Sequence, residues 1–346
     1  MSTMMLRPTR RSLLAAGGAA GLTALLAACG TGSGGRADSA SGDGSSGSWS
    51  FTDDRGSTVR LASRPQRIVA YTGTAAALHD LGVPEDRLVG VFGPTKRADG
   101  RPDVQAGSLD VNATTVVGNA YGEFDLEKYA ALDPQLLITN MFEPGALWYV
   151  PDDSRTKILK LAPAVGISVV KKPLTSVLTR YEKLAGTLGA DPAGKSAAAA
   201  KSRFRQAAAE LRAAAESARR RGVRVLAASA SADLLYVSDP AVYPDLSWFA
   251  SLGVDVVRPT KVVGGFFENL SWENAGRYPA DLILLDSRTS ALQPAQLTSK
   301  PAWAALPAVK AGQVSPWLSE PIMSYAACAP AVERLAATLR NARKVS

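Results

Sequence analysis

The stretch DPAGKSAAAAKSRFRQAAAELRAAAESARRR, residues 191–221, reads as one uninterrupted helix. Pro192 suits a first turn, the alanine-dominated body has high intrinsic helix propensity, and Gly222 stands where such a helix stops. At 1.5 Å per residue the rod is roughly 43 Å long, enough to cross from one compact unit to another. Its basic side chains, ending in Arg219, Arg220 and Arg221, have a single aromatic, Phe204, among them. They are expected to form a solvated helix face, and nucleic acid is not an expected partner.

Both flanks of the rod alternate short apolar runs with helical patterns. Before it come Ile68-Val-Ala-Tyr71, Leu88-Val-Gly-Val-Phe92, Thr115-Val-Val117, Leu136-Leu-Ile-Thr139 and Ile167-Ser-Val-Val170. After it come Val223 to Ala228, Leu234-Leu-Tyr-Val237, Asp281 to Leu285 and Val314, with a last helix from about Ile322 to Arg343. This alternation predicts α/β units on largely parallel sheets. The expected fold class is α/β: two Rossmann-like lobes, 49–190 and 222–346, joined by a single long rigid helix over 191–221. Asp125-Leu-Glu127 and Ser271-Trp-Glu273 each stand nine positions before a strand, Leu136-Leu-Ile and Leu282-Ile-Leu, which suggests an internal duplication.

The composition is that of a globular protein, 46% hydrophobic and 20% charged. Two cysteines and one histidine leave a protein-built transition-metal site short of ligands, so no metal site and no cofactor are expected. The net charge of +8 includes Arg7, Arg10 and Arg11 of residues 1–28, which have the basic start, apolar core and small-residue end of a secretory signal. Leu26-Ala-Ala-Cys29-Gly30 resembles the bacterial lipobox, which makes Cys29 an expected lipid anchor. Residues 29–48 are an expected Gly/Ser tether of roughly 25 Å span. Thr9-Arg-Arg-Ser-Leu-Leu14 also resembles a twin-arginine export signal, and the two export routes stay open.

Three patterns imitate catalysis. Gly189-Ala-Asp-Pro-Ala-Gly194-Lys195-Ser196 fits a phosphate-binding loop, and Asp281 to Asp286 would serve as the strand that follows it. A P-loop nucleotide hydrolase is therefore a remote alternative. The segment before Gly189, however, has helical rather than strand spacing, and a phosphate cradle needs a strand there. Ser154-Arg-Thr-Lys157 lacks the companion motifs of penicillin-interacting enzymes. His79 has no nucleophile partner in view.

Four stretches resemble the lipid-anchored solute-binding proteins of iron-siderophore and vitamin B12 ABC importers. They are Asp54 to Val59 with Arg64-Pro-Gln-Arg-Ile-Val69; Asp125 to Ile138, with Gln135 for the usual Asp; Ser271 to Leu284; and Trp303 to Val314. The resemblance implies the class III periplasmic-binding-protein fold and a monomer held at the extracytoplasmic face of the membrane through lipid on Cys29. It also implies no enzymatic activity, a ligand in the interlobe cleft, and two glutamates, matching Glu127 and Glu273, that dock into an ABC transporter permease. Both glutamates also suit a first helical turn, where a carboxylate favours the dipole by about 0.3–1 kcal/mol. Strand ends and neighbouring loops give the expected ligand-binding residues as Tyr71, Tyr121, Phe142, Trp148, Tyr149, Tyr243, Phe267, Arg288 and Trp317. Trp317 matches a cleft Trp of hydroxamate binders, whereas Ala241 and Tyr243 stand where those binders carry aromatic and arginine residues. Arg288 or Lys96 would meet residual negative charge on the ligand. The implied ligand is a ferric siderophore, hydroxamate type favoured, with cobalamin or haem as alternatives.

Overall fold

The computed structural model of the protein describes residues 47–346. The expected leader 1–28, Cys29 and the expected tether up to residue 46 lie outside the described residues. The chain enters through a hairpin of β1 (Trp49–Thr52) and β2 (Thr58–Leu61). It then lays down β3 (Ile68–Tyr71), β4 (Leu88–Phe92), β5 (Thr115–Gly118), β6 (Leu136–Met141) and β7 (Ala164–Ser168), which pair in the order β5-β4-β3-β6-β7, all parallel. Crossovers cover both faces of such a sheet, which is why β3 and β6 are buried at every position. The outer edge of β7 is closed by the turn between β1 and β2. There Asp53 Oδ2 accepts from the Gly166 amide at 3.0 Å and Asp54 Oδ2 from the Ser168 amide at 2.9 Å.

The second sheet contains β8 (Val225–Ala230), β9 (Leu234–Ser238), β10 (Phe267–Ser271), β11 (Leu282–Asp286) and β12 (Val314–Trp317), in the order β10-β9-β8-β11-β12. It is mixed, which corrects the expectation of a largely parallel sheet throughout. β8, β11 and β12 are parallel, but β9 and β10 run antiparallel to their neighbours. Only Ser231, Ala232 and Asp233 separate β8 from β9, too few residues for a crossover, so the chain turns back as a hairpin. In each sheet the strand order reverses beside the first strand laid down, between β3 and β6 and between β8 and β11. The carboxyl ends at such reversals are where open α/β sheets bind ligands.

The helix between the sheets spans Lys195–Arg220, 26 residues and about 39 Å. It starts later than expected because Asp191–Gly194 form a turn, with the Ala193 amide on Asp191 Oδ1 at 3.0 Å. It ends at Arg221 before Gly222, whose φ of 73° few other residues adopt. Leu174–Thr187 is helical, so Gly189–Ser196 follows a helix and not a strand. That overturns the P-loop alternative.

The rod does not stand alone. Its stripe of Phe204, Ala207, Leu211, Ala214, Ala215 and Ala218 is buried, and a second helix, Tyr325–Asn341, packs along it. Phe204 stacks on Trp248 at 5.0 Å and meets the edge of Tyr325 at 5.5 Å, each contact worth about 0.5–1.5 kcal/mol beyond burial. Arg203 holds Glu333 through two 2.7 Å bonds. The second helix is capped by Ser324, whose hydroxyl also reaches Asp80 of the first lobe at 2.5 Å. One continuous core therefore runs from Ile68 and Leu78 past Leu211 and Ala215 to Leu282 and Leu335. Among the described residues no helix is long and apolar enough to cross a membrane.

Candidate functional site

The first lobe supplies an aromatic wall. Tyr71 ends β3, and its buried ring lies so close to Gly93 that a Cβ there would sit 2.6 Å from it; Gly93 also has a φ of 99°. The loop after β6 is fastened by the Trp148 amide on Asn140 O at 2.9 Å and by Thr139 Oγ1 on Trp148 O at 2.8 Å. It delivers Trp148 and Tyr149 side by side, Tyr149 with a φ of 61° that is strained for a non-glycine residue. The ring centroids of Tyr149 lie 5.3 Å from both Tyr71 and Tyr121, and those of Trp148 lie 4.7 Å from Phe142. Tyr121 is the outermost, with 72% of its surface exposed. Five of the expected ligand residues, Tyr71, Tyr121, Phe142, Trp148 and Tyr149, thus form one connected patch.

The second lobe faces it with charge. Arg288, just beyond β11, binds Asp286 Oδ2 through Nε at 2.9 Å and Nη2 at 2.8 Å, and also donates to Glu320 Oε1. The other Glu320 oxygen accepts from Tyr71 Oη at 2.7 Å, Gln105 Nε2 at 3.0 Å and Trp148 Nε1 at 3.1 Å. Glu320 is therefore a buried knot between the lobes. Burial opposes charge on Arg288, but Glu320 and Asp286 more than offset it and raise the pKa above its ordinary value. Burial, followed by Glu320, pushes the Tyr71 hydroxyl well up and that of Tyr149 to about 12. Two further bonds join the lobes here: Thr289 Oγ1 to Asp103 Oδ2 at 2.6 Å, and the Lys171 amide to Val242 O at 2.8 Å.

Beside the wall a cavity of about 840 Å³ opens between Phe142 to Gly145, Ser168 to Lys172 and the loop Gly264-Gly265-Phe266. Tyr243 stands next to it, its ring 6.3 Å from Phe266 and 5.3 Å from Trp317, and burial pushes its hydroxyl up to about 12. Phe267, by contrast, packs on Tyr236 at 5.0 Å and does not line the cavity. Trp317 does not line this cavity but borders a smaller one of about 400 Å³ with Val104, Leu174 and Asp245. It is 6% exposed and joins the core, where its indole N–H donates to the buried Asp245 Oδ2 at 2.6 Å. Burial holds the Asp245 carboxyl up at about 6, against the pull of that bond. Lys96 turns away to Asn112 Oδ1 at 3.0 Å.

Glu127 is exposed in the first turn of helix Leu126–Ala131, whose cap is Asp125 accepting from the Lys128 amide at 2.9 Å. Glu273 is exposed too, but its element is a single 3₁₀ turn, Trp272–Asn274, and Ser271 makes no side-chain cap. Hydrogen bonds from its own amide and from Ser271 lower the Glu273 pKa. Among the described residues no cluster of His, Cys, Asp or Glu could hold a metal ion. Glu320, Asp286, Gln105 and Asp103 were not expected at the site from sequence. The available signal for Glu320 was its place in Ser-Glu-Pro321, three residues beyond the end of a strand.

A family model described as periplasmic binding protein matches residues 68–320. Among curated proteins no sequence match is found. The fold is similar to the crystal structure of DesE, a ferric-siderophore receptor protein from Streptomyces coelicolor. The TM-score is 0.83 with 51% identity, covering 86% of this chain and 100% of that one. The petrobactin-binding protein YclQ of Bacillus subtilis shares the fold at a TM-score of 0.63 and 15% identity, over 85% of this chain and 99% of that one. The siderophore periplasmic binding protein from the fuscachelin gene cluster of Thermobifida fusca does so at 0.55 and 22%, over 80% and 96%.

Proposed function

Because the chain belongs to the periplasmic binding protein family, we propose that it captures a ferric siderophore of the hydroxamate type between its lobes and hands it to an ABC permease. The family consists of binding proteins, not enzymes. The observation that carries the reading is the connected wall of Tyr71, Tyr121, Phe142, Trp148 and Tyr149 beside an interlobe cavity. The likeness to DesE at 51% identity supports it.

A siderophore brings iron already wrapped in its own oxygens, so the protein needs shape, aromatic faces and a few donors rather than metal ligands. A ferric tris-hydroxamate core is electrically neutral, which suits a site built from rings, hydroxyls and amides. Cys29 anchors the protein by lipid at the extracytoplasmic face, and Glu127 and Glu273 meet arginines of the permease, where an exposed carboxylate at a helical turn makes a charge-assisted pair. Titration of tryptophan fluorescence against ferric hydroxamate, ferric catecholate, cobalamin and haem tests the ligand. Saturable quenching by the ferric hydroxamate at the lowest concentration is expected; preference for cobalamin or haem would overturn the siderophore reading.

A further inference from the structure

The one guanidinium in the interlobe knot is already matched. Arg288 makes two bonds to Asp286 and another to Glu320, and both carboxylates are buried. A third buried carboxylate, Asp103, lies across the cleft on Thr289. Within the knot one cation therefore faces more than one anion, in a place where water screens little; of the cations that line the neighbouring cavity, Arg55 and Lys172 are paired with Asp53 and Asp54, and Lys171 lines it too. An arginine meant to attract an anionic ligand would be left free on the side facing that ligand. Here the carboxylate that occupies it comes from a third segment, beyond β12, and is fixed by Tyr71, Gln105 and Trp148. None of those three donors carries charge.

We propose that Glu320 sets the charge selectivity of the cleft: by neutralising Arg288 it excludes anionic chelates, such as ferric tris-catecholates with three negative charges, and admits neutral or cationic ones. Glu320 is thus a specificity-determining residue that also positions Arg288 and the Trp148 indole. The inference rests on the siderophore reading. It departs from the expectation that Arg288 meets residual negative charge on the ligand.

The test is fluorescence titration of the wild type and of Glu320→Gln with a neutral ferric tris-hydroxamate and a ferric tris-catecholate. The wild type is expected to bind the neutral chelate at least about 100-fold more tightly. Glu320→Gln keeps the size and one acceptor oxygen but frees Arg288. It should narrow that gap by about tenfold or more, through a gain for the trianion. Circular dichroism and melting check that the variant folds. Should it not, Glu320→Asp, which withdraws the carboxylate by one methylene, reads the same change at smaller amplitude. Equal wild-type affinity for both chelates, or a ratio that neither variant moves, overturns the inference. If no ferric chelate quenches the wild type, it is the siderophore reading that falls.

Discussion

The two lobes face each other with unlike surfaces. The first presents rings on a parallel sheet: Tyr71 at a strand end, Trp148 and Tyr149 on a fastened loop, Tyr121 and Phe142 at the sides. The second, on a mixed sheet, presents Arg288 with Asp286, and Glu320 beyond its last strand reaches across to the first lobe. The first lobe thus holds most of the rings and the second the guanidinium with its two buried carboxylates, and Glu320 couples them. What the halves share is on the outside: each exposes one glutamate in a helical turn nine positions before a strand.

The largest effect should come from breaking what the lobes share. Glu127→Ala combined with Glu273→Ala is expected to reduce uptake of the ferric chelate by cells to the level of cells lacking the protein. Affinity measured on the purified protein should stay within about twofold, because neither side chain approaches the cleft wall and exposed substitutions cost little. Unchanged uptake, or lost affinity, would refute a docking role. Removing the centre of the first lobe's wall comes next. Trp148→Ala deletes contacts with Phe142, Tyr121 and Tyr149 and leaves one donor fewer on Glu320. Titration should show about 100-fold weaker binding, or roughly 3 kcal/mol.

The second lobe is sharpened through pH. Asp245 is buried beneath Trp317 with its pKa raised to about 6, so the folded protein holds this proton more tightly than the unfolded chain does. The resulting stability is complete below the unfolded value near 4 and is lost as pH rises through about 6, a change of up to roughly 3 kcal/mol. Asp245→Asn, which keeps an oxygen for the Trp317 N–H, should melt at the same temperature as the wild type at pH 4. At pH 7.5 it should melt several degrees higher. A variant that melts lower at both values would mean that the carboxylate is needed in its charged form.

How much of this was legible in the sequence follows from the range of the interactions. The interlobe helix is set by local alanine propensity and a stop glycine, and parallel strands announce themselves as short apolar runs, so the two-lobe plan was readable. The hairpin of β8 and β9 was not separated from a crossover because both present the same apolar runs; only the short gap at Ser231 to Asp233 distinguishes them. Trp317 sits at a strand end like Tyr71, yet a buried carboxylate 72 positions away draws it into the core. Glu320 meets partners 249, 215 and 172 positions distant, and no periodicity encodes such a meeting. The aromatic wall was easier to anticipate, because Trp148 and Tyr149 are adjacent in the chain and flanked by turn residues.

The smallest effect is expected where the pleat separates neighbours. Successive residues of a strand point to opposite faces. Phe267, at the start of edge strand β10, packs on Tyr236, whereas Phe266, the residue before it, lines the cavity and touches Tyr243. Phe267→Ala should therefore weaken binding less than about threefold, and Phe266→Ala about tenfold, since only the second removes apolar area from the cleft. If titration reversed that order, the ligand would have to reach the outer face of β9 and β10.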